Sequence, residues 1–271
     1  MKTSHLSSWE EFQECVKALK AQTQNSLSGL LFRGQESEDW ALETTLERSG
    51  FANSVLQYYE LIGAIQPQVR AFTGHAWPEF DIASVHRQLQ GYETFHHALT
   101  RGSLLHLEYL LYLRHHGFPS PLLDWSGSPN VAAYFAFRSA KGGRVSIFAF
   151  CEMPENSKLR SSDAPAISTF GPYLPAHKRH FLQQAEYTIC AGYDDAWSFQ
   201  PHYRVFEGQP SSNPEPQDAL WKITLPATER TKVLKHLNAY NLHAFSLFGS
   251  EESLMEMLAI RETALRDDNE G

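Results

Sequence analysis

Cysteine is scarce in this chain: three in 271 residues, Cys15, Cys151 and Cys190. An odd number spread so widely provides neither a disulfide framework nor the paired spacing of a zinc site. Long apolar runs are absent too. No stretch approaches the ~20 residues of a membrane-crossing helix, so no membrane association is expected. No apolar segment follows Lys2, as it would in a secretory leader, and a cytoplasmic location is the expectation. No Gly-x-Gly-x-x-Gly or phosphate loop occurs, which removes the basis for a Rossmann or P-loop reading. Positive charge is in deficit, with 23 Lys and Arg against 31 Asp and Glu and a formal net charge of -8. That balance argues against an unselective nucleic-acid coat, whose affinity comes from neutralising phosphates. Thirteen histidines raise the question of a metal, but His177 and His180 lack a clear third and fourth ligand, and no metal is expected.

With 42% hydrophobic and 20% charged residues the composition is that of a globular protein, long enough for a well-buried core. A single domain over 1–271 is expected, without repeats or low-complexity segments. Ser8 with Glu11 fits a capping box, and Trp9, Phe12, Val16 and Leu19 recur at helical spacing, which predicts a helix over 8–23. Leu27 to Phe32 reads as a strand ending at Arg33-Gly34, with Arg33 where strand meets loop. Helices over 52–70, 80–100 and 103–116 then form an insertion of about 52–116. Pro129 opens a helix over 129–139. Strands are expected at 145–150, near 167–170, within 181–190 and at 221–225. A loop is expected at 209–218, helices at 226–237 and 250–262, and a frayed end from Asp267. Strands separated by helices indicate an α+β fold.

Two stretches carry most of the functional information. One is Leu31-Phe32-Arg33-Gly34-Gln35, with Trp40-Ala41-Leu42 behind it. The other runs from Arg114-His115-His116-Gly117-Phe118-Pro119 through Leu122-Leu123-Asp124-Trp125-Ser126 to Ala133-Tyr134-Phe135-Ala136. Together they resemble the FRG domain, a family named after its Phe-Arg-Gly triplet. Two departures stand out, Ser120-Pro121 where the family often has Thr-Arg, and Arg114 where it often has Gln. The layout is also similar to that of ADP-ribosyltransferases. There an Arg on the first core strand grips the pyrophosphate of NAD, a serine strand shapes the nicotinamide pocket, and a Gln/Glu-x-Glu strand carries the catalytic carboxylate. This resemblance implies an ADP-ribosyltransferase-like mixed sheet core with a helical insertion. It also implies NAD as the co-substrate, with Arg33, Gly34, His116, Asp124, Trp125, Ser126, Ser128 and Phe135 around it. Glu186, Gln184 and Arg33 are the implied catalytic set.

The chemistry suits those residue types. A guanidinium makes charge-assisted bidentate hydrogen bonds to a diphosphate that lysine does not reproduce. Breaking the nicotinamide–ribose bond passes through an oxocarbenium-like state that a carboxylate such as Glu186 stabilises. On a strand, Gln184 shares a face with Glu186 and would touch the acceptor. Several residues have plainer readings as well. Arg33 would serve equally in an ion pair with Glu36 or Asp124, Asp124 as a turn scaffold, and Trp125 as core unless its ring is exposed for stacking. His115 and His116 fit the C-terminal end of a helix. Glu251-Glu252 is a rival carboxylate pair that also fits a helix first turn.

The leading expectation is an NAD-dependent ADP-ribosyltransferase acting on a macromolecule. RNA is preferred as acceptor, because the basic cluster His177-Lys178-Arg179-His180, with Lys158 and Arg160 nearby in sequence, precedes the Gln-x-Glu segment. Tyr173, Phe181 and Tyr187 interleave with that cluster for base stacking. Lys178, Arg179, Gln184 and Tyr187 would hold the acceptor, and a protein acceptor stays open. The resemblance further implies a toxin of a toxin–antitoxin or anti-phage module, restrained by an inhibitory partner protein, as in mRNA-modifying transferases of toxin–antitoxin–chaperone phage defence. Two other classes stay open: a non-catalytic nucleotide- or protein-binding module, and an RNA-cleaving toxin with His115 or His116 as general base.

Overall fold

A computed structural model of the chain describes residues 1–156, 164–174, 178–206 and 218–265. Lys158, Arg160, His177, the residues from Asp267 onward and all of the 209–218 loop except Asp218 lie outside the described residues. The first elements are strand β1 (Lys2–His5) and helix α1 (Trp9–Gln22), where the Ser8 hydroxyl accepts the Glu11 amide at 3.3 Å. Next come β2 (Leu31–Gln35), α2 (Thr45–Ser49), α3 (Val55–Thr73), α4 (Ile82–Leu89), α5 (Gly91–Thr100) and α6 (Leu107–His115). After them run β3 (Leu123–Ser126), α7 (Pro129–Phe137), β4 (Arg144–Glu152), β5 (Ala166–Phe170), α8 (Lys178–Leu182), β6 (Ala185–Asp194) and β7 (Ala196–Phe199). The described residues continue with β8 (Asp218–Pro226), α9 (Arg230–Ala239), α10 (Ala244–Phe248) and α11 (Glu251–Thr263). Among the described residues no helix is long and apolar enough to cross a membrane.

The fold is mixed α/β, with an eight-stranded mixed sheet in the order β1-β8-β4-β2-β3-β6-β5 and β7 pairing with β6. Only β1 with β8 is parallel among these pairings. The alternation of β4 explains why it lies inside the sheet. Val145, Ile147, Ala149 and Cys151 join one apolar cluster and Phe148 and Phe150 another, so both faces are covered. On one face α1, α7, α9 and α10 pack over β2, β4 and β8 through Phe12, Val131, Phe137, Val233 and Leu247. Beside them the helices between β2 and β3 pack over β6 and β7 through Tyr58, Tyr59, Tyr109 and Leu110. The opposite face, behind the sheet centre, buries Leu31, Leu123, Trp125 and Phe148 under Leu42.

Several boundaries differ from the pattern reading: the helix expected to open at Pro226 begins at Arg230, because Pro226 is still paired in β8, and three more have a local cause. β2 begins at Leu31 because residues 26–28 are tied elsewhere: the Leu27 amide donates to the Asn156 side chain at 2.6 Å and the Ser26 hydroxyl to the Met153 carbonyl at 3.3 Å. The strand also continues to Gln35, paired with Ser146, so Arg33 sits inside it instead of at its end. The helix expected over 80–100 is two helices, since Gly91 adopts a φ of 72° after an extended Gln90 and the axis breaks there.

Candidate functional site

Strands β2 and β3 share a single registered pair, Phe32 with Ser126. Past it they diverge: Arg33, Gly34 and Gln35 register only with β4, and Leu123, Asp124 and Trp125 only with β6. The wedge opens into a cavity of about 740 Å³, walled by both strands, the start of α7, the end of α6 and the segment after β2. That volume lies within the ~300–1,000 Å³ usual for small-molecule sites.

Arg33 spans the wedge. Its Nη1 donates to the backbone carbonyl of Asp124 at 2.8 Å, while its Nε is buried without a partner. Burial pulls the guanidinium down to about 10, which leaves it cationic at neutral pH. The Asp124 carboxylate is taken by Arg114, with Nε to Oδ1 at 2.9 Å and Nη2 to Oδ2 at 2.6 Å. Burial pushes the Asp124 carboxyl up, but Arg114 and then Arg33 outweigh it and hold it below the usual carboxylate range. In return the charge of Asp124 raises Arg114. Of the two arginines that meet Asp124, one is therefore neutralised by its carboxylate and one retains unused donor capacity.

The rest of the wall is acidic and aromatic. Glu36, Asp39 and Glu43 line it, with Trp40 at 54% exposure, half-buried Phe135, and Arg48, whose Nη1 donates to the Glu43 carbonyl at 3.1 Å. Gln35 is buried, with Nε2 donating to the Ala41 carbonyl at 3.1 Å and Oε1 unpartnered. Gly34 has a packing role. A Cβ there would lie 1.9 Å from the Ala132 carbonyl oxygen, so α7 rests directly on this glycine and its N-terminal turn reaches the cavity.

Of the residues nominated from sequence, Arg33, Gly34, Asp124, Trp125, Ser126 and Phe135 line the cavity together. Ser126 donates to the Gln183 carbonyl at 2.7 Å and accepts the Ser128 amide at 3.0 Å. Ser128 caps α7, its hydroxyl accepting the Val131 amide at 3.4 Å, and does not line the cavity. Trp125 is only 3% exposed, and its Nε1 donates to the Thr188 hydroxyl at 2.8 Å, so it is a core residue and lacks the exposed ring that stacking required. His116 ends α6 with its ring against Tyr112. His115 meets the Tyr187 hydroxyl at 2.7 Å, and neither histidine lines the cavity.

The later nominated residues lie apart. Glu186 is registered with Trp125 on β6 and packs against Gly171, outside the lining, and burial pushes its carboxyl up. Gln184 sits in the turn before β6 with a φ of 47°, so the shared strand face expected for Gln184 and Glu186 does not form. Its neighbour Gln183 lines the cavity instead. Lys178 is exposed on α8, and Arg179 lies over the Phe248 ring at 5.6 Å. Tyr187 is fully buried, which removes it as a stacking surface for a base. Glu251 and Glu252 occupy the first turn of α11 behind the Ser250 cap. Pattern reading gives no site role to Gln35, although it belongs to the Phe-Arg-Gly motif, nor to Glu36, Arg48 and Gln183. The run Glu36-Ser37-Glu38-Asp39-Trp40 just after Phe32-Arg33-Gly34-Gln35 is the available signal for Glu36, the resemblance reaches Gln183 only weakly, and Arg48 carries no signal.

Residues 28–144 match the family model of the FRG domain. Over this stretch, a little under half of the chain, the sequence is similar to the FRG domain. Every residue lining the cavity except Gln183 falls inside the FRG span, whereas Lys178, Arg179, Gln184, Glu186 and Tyr187 follow it. No curated protein and no solved structure matches the chain.

Proposed function

We propose that the wedge of the FRG-like stretch binds NAD and that the chain transfers ADP-ribose from it to a macromolecule, RNA in first place, with release of nicotinamide. The observation that carries this reading is the arginine inside the sheet: Arg33 faces a nucleotide-sized cavity with an Nε that no group among the described residues satisfies. A buried donor of that kind is costly unless a ligand acceptor meets it, and a diphosphate is a strong acceptor for a guanidinium. Arg33 and Arg48 would hold the phosphates, while Trp40 and Phe135 supply aromatic surface for the rings. Bound NAD supplies the glycosidic bond to be broken and nicotinamide as leaving group. Asp124 is held by Arg114, so its part is to fix the wedge, with its carbonyl orienting Arg33.

The acceptor side is supported by α8, which ends one residue before Gln183 of the cavity wall and carries exposed Lys178 and Phe181. A phosphate-contacting lysine beside an aromatic surface suits single-stranded RNA. An ADP-ribosyltransferase-like core, a cytoplasmic setting and a toxin restrained by an inhibitory partner, in a toxin–antitoxin or anti-phage module, complete the reading. One observation favours a binding module instead: Glu186, the carboxylate nominated for the chemistry, is not in the cavity wall. Incubation of the purified protein with adenylate-labelled NAD and RNA separates the two. The expected result is free nicotinamide with label on RNA; label on protein alone would move the acceptor. Saturable NAD binding with neither nicotinamide release nor label transfer overturns transferase activity in favour of the module.

A further inference from the structure

Four carboxylates line the cavity, and they differ in exposure, in what already engages them and in their distance along the chain from Arg33. Asp124 is bound by Arg114 through both oxygens. Asp39 is exposed beside Trp40 at the rim. Glu43 is half-buried and its carboxylate makes no hydrogen bond among the described residues, but it stands far along the chain from Arg33, next to the α2 cap residue Thr44. Glu36 is different. It is half-buried in the cavity wall, immediately after β2 and three residues from Arg33, and its carboxylate makes no hydrogen bond or ion pair among the described residues. The nearby cation whose field reaches it, Arg138, is held through two nitrogens by Glu256. The carboxylate is therefore open to a ligand's hydroxyl groups or positive charge.

We infer that Glu36 is the catalytic carboxylate of this site, an assignment that rests on the ADP-ribosyl-transfer reading above. As the bond between ribose C1′ and the nicotinamide nitrogen breaks, its electron pair goes to the ring nitrogen, and neutral nicotinamide leaves. Glu36 stabilises the positive charge that develops at C1′. The acceptor's nucleophilic atom then bonds to C1′, and its proton passes to the Glu36 carboxylate and from there to water. Arg33, inside β2, and Glu36, directly after it, thus assign the anionic and cationic parts of one reaction to neighbouring positions of one segment.

The test compares Glu36→Gln with Glu186→Gln and wild type in nicotinamide release, with ADP-ribose affinity by calorimetry and the thermal midpoint as measures of an intact site. Glu36→Gln is expected to slow release by ~10²–10³-fold, the usual loss for one electrostatic contact to the transition state, with ADP-ribose affinity within a few-fold of wild type. Glu36→Asp is expected to retain intermediate activity. If Glu36→Gln stays within a few-fold of wild type, or only Glu186→Gln is inactive, the assignment is overturned while the transferase reading stands. A wild type that binds ADP-ribose but releases no nicotinamide overturns both.

Discussion

The Asp124 carboxylate receives two hydrogen bonds from Arg114, and its backbone carbonyl receives a third from Arg33. One residue thereby orders both Arg33 and Arg114. Arg114 is well covered, with a side chain 13% exposed, whereas that of Asp124 is 36% exposed. Removing one partner of a fully buried pair costs about 3–5 kcal/mol, chiefly because the other charge is left unpaired. Solvent reaches Asp124, so Asp124→Asn is expected to cost less, about 2 kcal/mol in urea unfolding. Changing Arg114→Gln in the same chain is expected to recover part of that loss, because no buried charge is then left over. Strictly additive losses in the double variant would show that the two side chains do not depend on each other.

At the level of elements, the contact that shapes the site is α7 against β2. Gly34 has no need of an unusual backbone conformation; what it provides is the absence of a side chain beneath a helix. An added methyl would lie 1.9 Å from the Ala132 carbonyl oxygen and 2.7 Å from the Ala136 nitrogen, both backbone atoms that cannot rotate away. Gly34→Ala is therefore expected to destabilise the protein by about 3 kcal/mol, at the upper end of ordinary overpacking. Gly29→Ala, where nothing lies within 4 Å, should stay within about 0.5 kcal/mol of wild type. Thermal or urea denaturation of the two variants measures the contrast. Equal stabilities would mean that α7 moves off the strand freely. Because Val131, Ala132 and Phe135 of α7 also wall the cavity, Gly34→Ala should weaken nucleotide binding as well.

Across the whole molecule, a buried polar chain ties the sheet to the segment after β7. Trp125 Nε1 and His202 Nε2 each lie 2.8 Å from the Thr188 hydroxyl. Burial, with Arg33 nearby, pulls His202 from the ordinary 6.5 to about 3. The unfolded chain takes up this proton near the ordinary value, whereas the native protein does so only near 3. The stability contributed by neutral His202 is thus fully present above about pH 6.5 and is lost progressively as pH falls towards 3, by about 1.4 kcal/mol per pH unit. Asp124 acts in a lower window, since its folded pKa is depressed and its contribution is lost as pH falls through that value. Urea unfolding at pH 7, 6 and 5 should give a steeper loss for wild type than for His202→Gln, by about one proton's worth of slope. Parallel curves would mean that His202 titrates normally.

Much of this protein was legible in its sequence because the signals were local. Capping at Ser8 and Ser250, the proline that opens α7 and the alternation of β4 depend on residues a few positions apart. The Phe-Arg-Gly triplet and the Leu-Leu-Asp-Trp-Ser run likewise marked the two strands that border the cavity. What the local pattern did not contain was how those strands meet. A single registered pair between Phe32 and Ser126 makes the wedge, and it arises because β2 follows β4 while β3 follows β6. The register of β6 likewise put Glu186 beside Trp125 and Gly171, and a left-handed turn took Gln184 off the strand, although the tripeptide reads as an alternating pair. Strand and helix identity follow from side-chain spacing along the chain; which carboxylate reaches the cavity follows from long-range pairing, and that was decided only when the sheet assembled.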